Sequence, residues 1–191
     1  MTAALIAINV AVWLFYELPD LDHAVNQLAY HPCELENSCP TVGEDWHVTA
    51  LTSMFMHGSW LHLIGNMLFL WIFGNNVEDI LGRIGYIVFY LLAGYAATAL
   101  QTIVTLETSP GSADIPNLGA SGAISGVLGA SGAISGVLGA YLIFLPHASV
   151  LTVIILGFIF FLREIPAVFF LGVYLFFQLW QAGFQFTHPP E

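Results

Sequence analysis

Residues Trp60–Val77, WLHLIGNMLFLWIFGNNV, decide the fold. The run carries no charged side chain and is as long as a membrane-spanning helix requires, about 17 to 25 mostly apolar residues. Within it His62 and Asn66 stand four positions apart, so on a helix they share one face and can reach a common point. Polar groups inside lipid are costly, and those a span keeps are candidates for function.

Working outward, further uncharged runs cover Ile84 to Leu106 and Ile165 to Phe186, and Thr2 to Tyr16 is a shorter one. A long stretch from Ile115 to Leu162 is interrupted by Pro116 and Pro146. It yields a helix from about Gly119 to Leu145 and a remnant, Ser149 to Leu162, whose length suits an interfacial or re-entrant piece better than a span. The expected architecture is all-α, a polytopic transmembrane helical bundle forming one domain over 1–191. Five spans are expected at about 2–18, 60–77, 84–106, 119–145 and 165–186, with an extracytoplasmic loop at 19–59 and an interfacial segment at 149–162.

Composition agrees. The chain is 58% hydrophobic and 8% charged, against about 25% charged in an ordinary soluble domain. Its only cations are Arg83 and Arg163, and its net charge is −11. Counterion release onto Lys and Arg drives binding to phosphate backbones, so nucleic acid is excluded as a partner. Short cytoplasmic loops collect Lys and Arg. If 149–162 does not cross, Arg83 and Arg163 lie on one face, which is then cytoplasmic and holds the N-terminus, with the cell (plasma) membrane as location. A signal peptide is the rival reading of the first helix, but a basic start and a small-residue cleavage site before Glu17 are missing. Most acidic residues fall in two segments outside the apolar runs, Glu17 to Asp45 and Glu107 to Asp114; Cys33 and Cys39 sit in the first, where a short disulfide loop and two free thiols both remain open.

The Gly-Ser-rich run from Gly119 to Tyr141 puts a serine at the start of an apolar helix. Free N–H groups and the positive end of the helix dipole favour a developing negative charge there, as an acyl-transfer nucleophile requires. Gly122, Gly126, Gly132 and Gly136, four apart within each pair, also carry the small-residue code for close helix packing in membranes. Glu78, Asp79 and Arg83 read as a cytoplasmic end with local pairing. Trp46, Trp60 and Trp71 read as interfacial anchors or core. A zinc protease would need His-Glu-x-x-His on a helix and an aspartyl protease carboxylates within the spans; neither occurs. No metal and no cofactor is expected.

With WHVTALT at Trp46–Thr52, MHGSWLHLIGNM at Met56–Met67, EDILGR at Glu78–Arg83, GASG at Gly119 and again at Gly129, and EIPAVFFLG at Glu164–Gly172, the chain resembles the rhomboid intramembrane serine proteases. The resemblance covers nearly the whole chain. It implies that the GASG serine is the nucleophile, and that its own N–H, His62 and Asn66 form the oxyanion hole. It also implies transmembrane segments of other membrane proteins as substrates within a lipid bilayer. His57 is read as shaping the loop end rather than the reaction.

Two departures matter. Leu118–Ala130 is repeated without substitution as Leu128–Ala140, so Ser121 and Ser131 are both candidate nucleophiles. Ten residues turn a helix by about 1000° and lengthen it by about 15 Å, so both cannot occupy one site. Ser131 is preferred because it keeps the spacing to Tyr141 and Pro146, and neighbours fix the depth of a packed helix. The second departure is the family's catalytic histidine, which belongs to a sixth helix in an Ala-His-x-x-Gly context; these residues contain none. The ends of the chain read as trimmed, and His188 reads as loop. Without a base the serine stays protonated and a poor nucleophile, so little or no proteolysis is expected from these residues alone. The alternative is a noncatalytic rhomboid pseudoprotease that binds transmembrane helices.

Overall fold

The computed structural model describes residues 1–36, 39, 45–108, 113–114, 130–156 and 159–173. The fold is mostly helical. Helix α1, Thr2–Val12, continues through a wider π-type turn, Trp13–Glu17. Helix α2, Leu21–Leu28, starts at Asp20, whose carboxylate accepts the His23 N–H, a common N-cap. Helix α3 is Trp46–Thr52. Helix α4, Trp60–Phe69, begins with Ser59 Oγ accepting the His62 N–H at 3.2 Å and runs through a π-type turn, Leu70–Gly74, into α5, Asn75–Thr108.

Among the described residues, Trp60–Glu107 is a helical path long and apolar enough to cross a membrane, while Thr2–Glu17 and Leu21–Leu28 pass the same test together but are bent by 117°. A straight helix of that first length would measure about 70 Å, more than twice the hydrocarbon core. Gly82 resolves the excess. At φ 71° and ψ 165° it breaks the helix, a conformation open to glycine because it lacks a Cβ. Contacts then run back along the chain: the Tyr86 hydroxyl lies beside Gly74, Tyr90 donates to the Met54 carbonyl at 3.3 Å, and Tyr95 donates to that of His47. Path 60–81 and path 83–107 are therefore antiparallel arms joined at one residue.

The distribution of side chains on these arms follows from the solvent. Leu63, Asn66, Leu70, Phe73 and Val77 form the buried stripe of the first arm; Leu61, Ile64, Leu68 and Trp71 face out. On the second, Tyr86, Tyr90, Thr98, Thr102 and Thr105 are buried, while Ile84, Val88, Leu92, Leu100 and Ile103 are exposed. Threonine inside and isoleucine outside is costly in water and favourable in lipid, where an apolar outer surface loses nothing.

Helix α6, Ala130–Phe144, packs against α5 and the first arm. A Cβ at Gly136 would overlap that of Ala93, so the small-residue spacing does mark a close crossing. Gly122 and Gly126 lie outside the described residues. The core gathers Leu5 of α1, Leu70 and Phe73 of the first arm, Tyr86 and Tyr90 of α5, and Ile134, Val137 and Tyr141 of α6.

Two expectations change. The class is not purely helical: Ser149–Leu156 (β1) and Ile159–Pro166 (β2) form an antiparallel hairpin, with Thr152 opposite Arg163. The 149–162 segment is thus one strand and part of the next, and the run expected as a helix from 165 is strand to Pro166 and helix over 167–173. Its many β-branched and aromatic residues fit a pleated ladder. The second change concerns Glu78, expected to pair locally. It reaches α1 instead, where its carboxylate binds the Met1 amine and accepts the Thr2 N–H at 2.7 Å and the Thr2 hydroxyl at 2.9 Å. An acid at a helix N-terminus satisfies otherwise unpaired N–H groups. It also brings the start of α1 to the Gly82 end of the arms.

Segment 29–36 forms a strap over the opposite end. Tyr30 accepts from Thr102, Glu34 accepts from Thr49, and the Cys33 N–H donates to the Ala113 carbonyl at 2.9 Å. Cys33 and Cys39 are bridged, which resolves the question the sequence left open.

Candidate active site

The helical spacing of His62 and Asn66 has the expected result. Asn66 is buried, His62 is half-buried beside it, and Asn66 Nδ2 lies 2.8 Å from His62 Nε2. With the amide donating, a neutral His62 carries its proton on Nδ1. The two groups are thus held against each other. To donate jointly to an oxyanion, the imidazole proton must be on Nε2 and the amide N–H must turn from the ring to the new charge.

His57 sits above them, fully buried, its ring 4.9 Å from that of His62. Burial, then the neighbouring His62, pushes the His57 imidazole down to about 3, so it is neutral at physiological pH. A neutral buried ring suits a shaping role and leaves no positive charge beside the donors.

Helix α6 carries the serine and touches α4 directly. Two contacts set its direction. The Phe73 and Tyr141 rings meet edge to face at 4.9 Å near the Gly82 end, and Gly136 meets Ala93 farther toward the His57 end. Helix α6 therefore runs parallel to α4, with its first turn toward the His57 end. Ser131 is the second residue of α6. Ser121 and His188 lie outside the described residues. Among the described residues no cluster of three or more His, Cys, Asp or Glu could hold a metal ion.

One residue of this region was not among the sequence-derived candidates. Glu17, read only as the edge of an acidic loop, is fully buried at the end of α1, and its Oε1 accepts the His57 N–H at 2.6 Å. The cue was available, since Trp13 and Glu17 are four apart on one helix face, but nothing local names a partner forty residues away.

This arrangement, a helical membrane bundle whose first arm presents His62 and Asn66 and whose α6 begins beside Ser131, defines an intramembrane helical protein of the kind its sequence resembles. The chain belongs to the rhomboid family: residues 44–130 match the Rhomboid domain. That stretch includes Ser121 and stops one residue before Ser131, and since the two copies are identical its end carries no information on depth. The chain is 32% identical over 143 residues to the presenilin-associated rhomboid-like protein, mitochondrial, of Bos taurus, covering 74% of this chain and 35% of that protein. It is 37% identical over 77 residues to rhomboid-like protein 11, chloroplastic, of Arabidopsis thaliana, covering 40% and 25%. With the rhomboid protease GluP of Bacillus subtilis (strain 168) it shares 38% over 93 residues, 49% and 16% of the two chains. The chain thus spans about a third of the length of the mammalian relatives it matches. No solved structure matches it. As a rhomboid it is membrane-integral; the mitochondrial and chloroplastic names of two relatives give no support to a plasma-membrane location.

Proposed function

We propose that the chain is the core of a rhomboid-type intramembrane serine endopeptidase that cleaves transmembrane segments of other membrane proteins, with Ser131 as nucleophile and His62 and Asn66 as oxyanion donors. The observation that carries it is the Phe73–Tyr141 contact, because it aligns the depths of α4 and α6. Tyr141 follows Ser131 by ten residues, and Phe73 follows His62 by eleven and Asn66 by seven. At helical rise these are about 15, 16 and 10 Å, so Ser131 falls at the depth between the two donors. On a continuous helix Ser121 would stand about 30 Å from Tyr141, roughly a full hydrocarbon thickness away.

The reaction follows from these parts. The serine oxygen attacks a substrate carbonyl, and the charge that forms on the carbonyl oxygen is met by the serine N–H, Asn66 and His62. A base must take the hydroxyl proton, and no histidine in these 191 residues has the family's Ala-His-x-x-Gly context. Preferred substrates are single-span helices with small or helix-weakening residues, which unwind to present a carbonyl. We further propose five spans, with Arg83, Arg163 and the N-terminus cytoplasmic, in the cell membrane. The contact of Glu78 with Thr2 supports a common end for the N-terminus and Arg83.

The test joins this chain to a sixth helix bearing Ala-His-x-x-Gly and measures cleavage of a transmembrane substrate in vesicles. Cleavage is expected there, lost in Ser131→Ala and kept in Ser121→Ala, with none from the 191 residues alone. If the double alanine variant cleaves unchanged, the serine assignment fails. The alternative reading is a noncatalytic rhomboid that binds transmembrane helices. It predicts photocrosslinks to substrate helices and no turnover with either serine present.

A further inference from the structure

The entrance to α4 is held from one side by the end of α1. Trp13 packs edge-on against Trp60, ring centroids 5.4 Å apart. One turn later Glu17 accepts the His57 N–H, while its other oxygen, Oε2, is buried without a partner among the described residues. Between those two contacts lies the segment His57–Ser59, and both its ends bear on His62: the His57 ring packs against the His62 ring, and Ser59 Oγ caps the His62 N–H. The path from Glu17 to the oxyanion donors is therefore short and made of named contacts, Glu17 to His57, His57 to His62, His62 to Asn66.

A fully buried carboxyl at a helix end is expensive, and one with an unpaired oxygen more so. Burial of this kind persists where the surrounding structure gains something else from it. We propose that Glu17 is a positioning residue: by clamping the His57 backbone it fixes the ring that backs His62, and so sets the direction in which His62 and Asn66 present their donors. It touches neither substrate nor reacting atoms. This deepens the proteolytic reading above and rests on it for its meaning, since only there are His62 and Asn66 donors.

The clamp needs an acceptor at Oε1, and a glutamine oxygen supplies one in the same place. Alanine supplies none and leaves the His57 N–H buried without a partner. The experiment uses this chain in lipid nanodiscs and reads side-chain nitrogen NMR of its histidines, with His57→Ala and His62→Ala giving the assignments. In Glu17→Ala the His62 resonances are expected to shift and broaden; in Glu17→Gln they stay at their original positions. His147, distant in sequence, is expected to be unmoved in both, which separates local release from unfolding. Unmoved His62 resonances in Glu17→Ala overturn the proposal, and so does Glu17→Gln behaving as Glu17→Ala. Because the readout needs no turnover, its failure is distinct from failure of the serine assignment, which the Ser131→Ala cleavage assay reads.

Discussion

Replacing Gly136 with alanine tests the helix crossing on which the depth argument depends. A Cβ at Gly136 would overlap the Ala93 Cβ, with the Ala93 Cα next nearest at 3.7 Å. Carbon atoms pack at about 3.5 to 4 Å, so α5 and α6 must separate by about 1 Å to admit the methyl group. Overpacking of this kind costs about 1 to 3 kcal/mol. Against it stands the intrinsic preference of a helix for alanine, about 1 kcal/mol over glycine. Gly139 supplies the reference, because a Cβ there meets nothing within 4 Å. Gly139→Ala should then be neutral or slightly stabilising, and Gly136→Ala less stable than Gly139→Ala by about 1 to 3 kcal/mol. The assay is equilibrium unfolding in mixed micelles of the wild type, both glycine variants, Ala93→Gly, and Gly136→Ala with Ala93→Gly. Removing the opposing methyl should restore most of the loss, giving a coupling of about 0.5 to 3 kcal/mol in the double-mutant cycle. Equal stability of the two glycine variants, or a cycle that closes with no coupling, would refute the crossing and with it the alignment of Ser131.

Three other outcomes are expected. The amino terminus, then the Thr2 N–H, holds the Glu78 carboxyl down to about 2 against 4.5 unperturbed; its contribution is complete above about 4.5 and disappears as pH falls through about 2. The gap in unfolding midpoint between wild type and Glu78→Gln should therefore be full at neutral pH and close in strong acid; a gap that is constant with pH would contradict the clamp. The Cys33–Cys39 bridge spans six positions, so loop entropy assigns it about 2 kcal/mol; the double serine variant should lose that much, matching reduced wild type, and unchanged stability on reduction would argue against the bridge. Gly82→Ala forces a side chain into φ 71°, ψ 165°, a region almost confined to glycine, at a cost of about 1 to 3 kcal/mol, read in the same unfolding assay against a neutral Gly85→Ala.

The helical arms and the His62–Asn66 face were legible because period and length are local properties: four residues on a helix share a face whatever surrounds them. Thr2 with Glu78, Glu17 with His57 and Cys33 with Ala113 were not, for each joins segments far apart in sequence, and no local pattern names such partners. The hairpin at 149–166 was not legible for a different reason. A short apolar run bounded by proline fits an interfacial piece, a helix or a strand equally well, and only the partner strand decides. The two serines were ambiguous because identical copies have identical local chemistry, and only the depth of a packed helix, which its neighbours set, could tell them apart.

Gly82 bears on how the protein is made. A one-residue corner leaves no tether on which the first arm could settle in lipid while the second waits outside. With no loop between them, the two arms are expected to enter lipid together as a helical hairpin whose tip carries Arg83. Lengthening that corner with a flexible linker would let the arms enter one after the other, at the risk that they never find each other again.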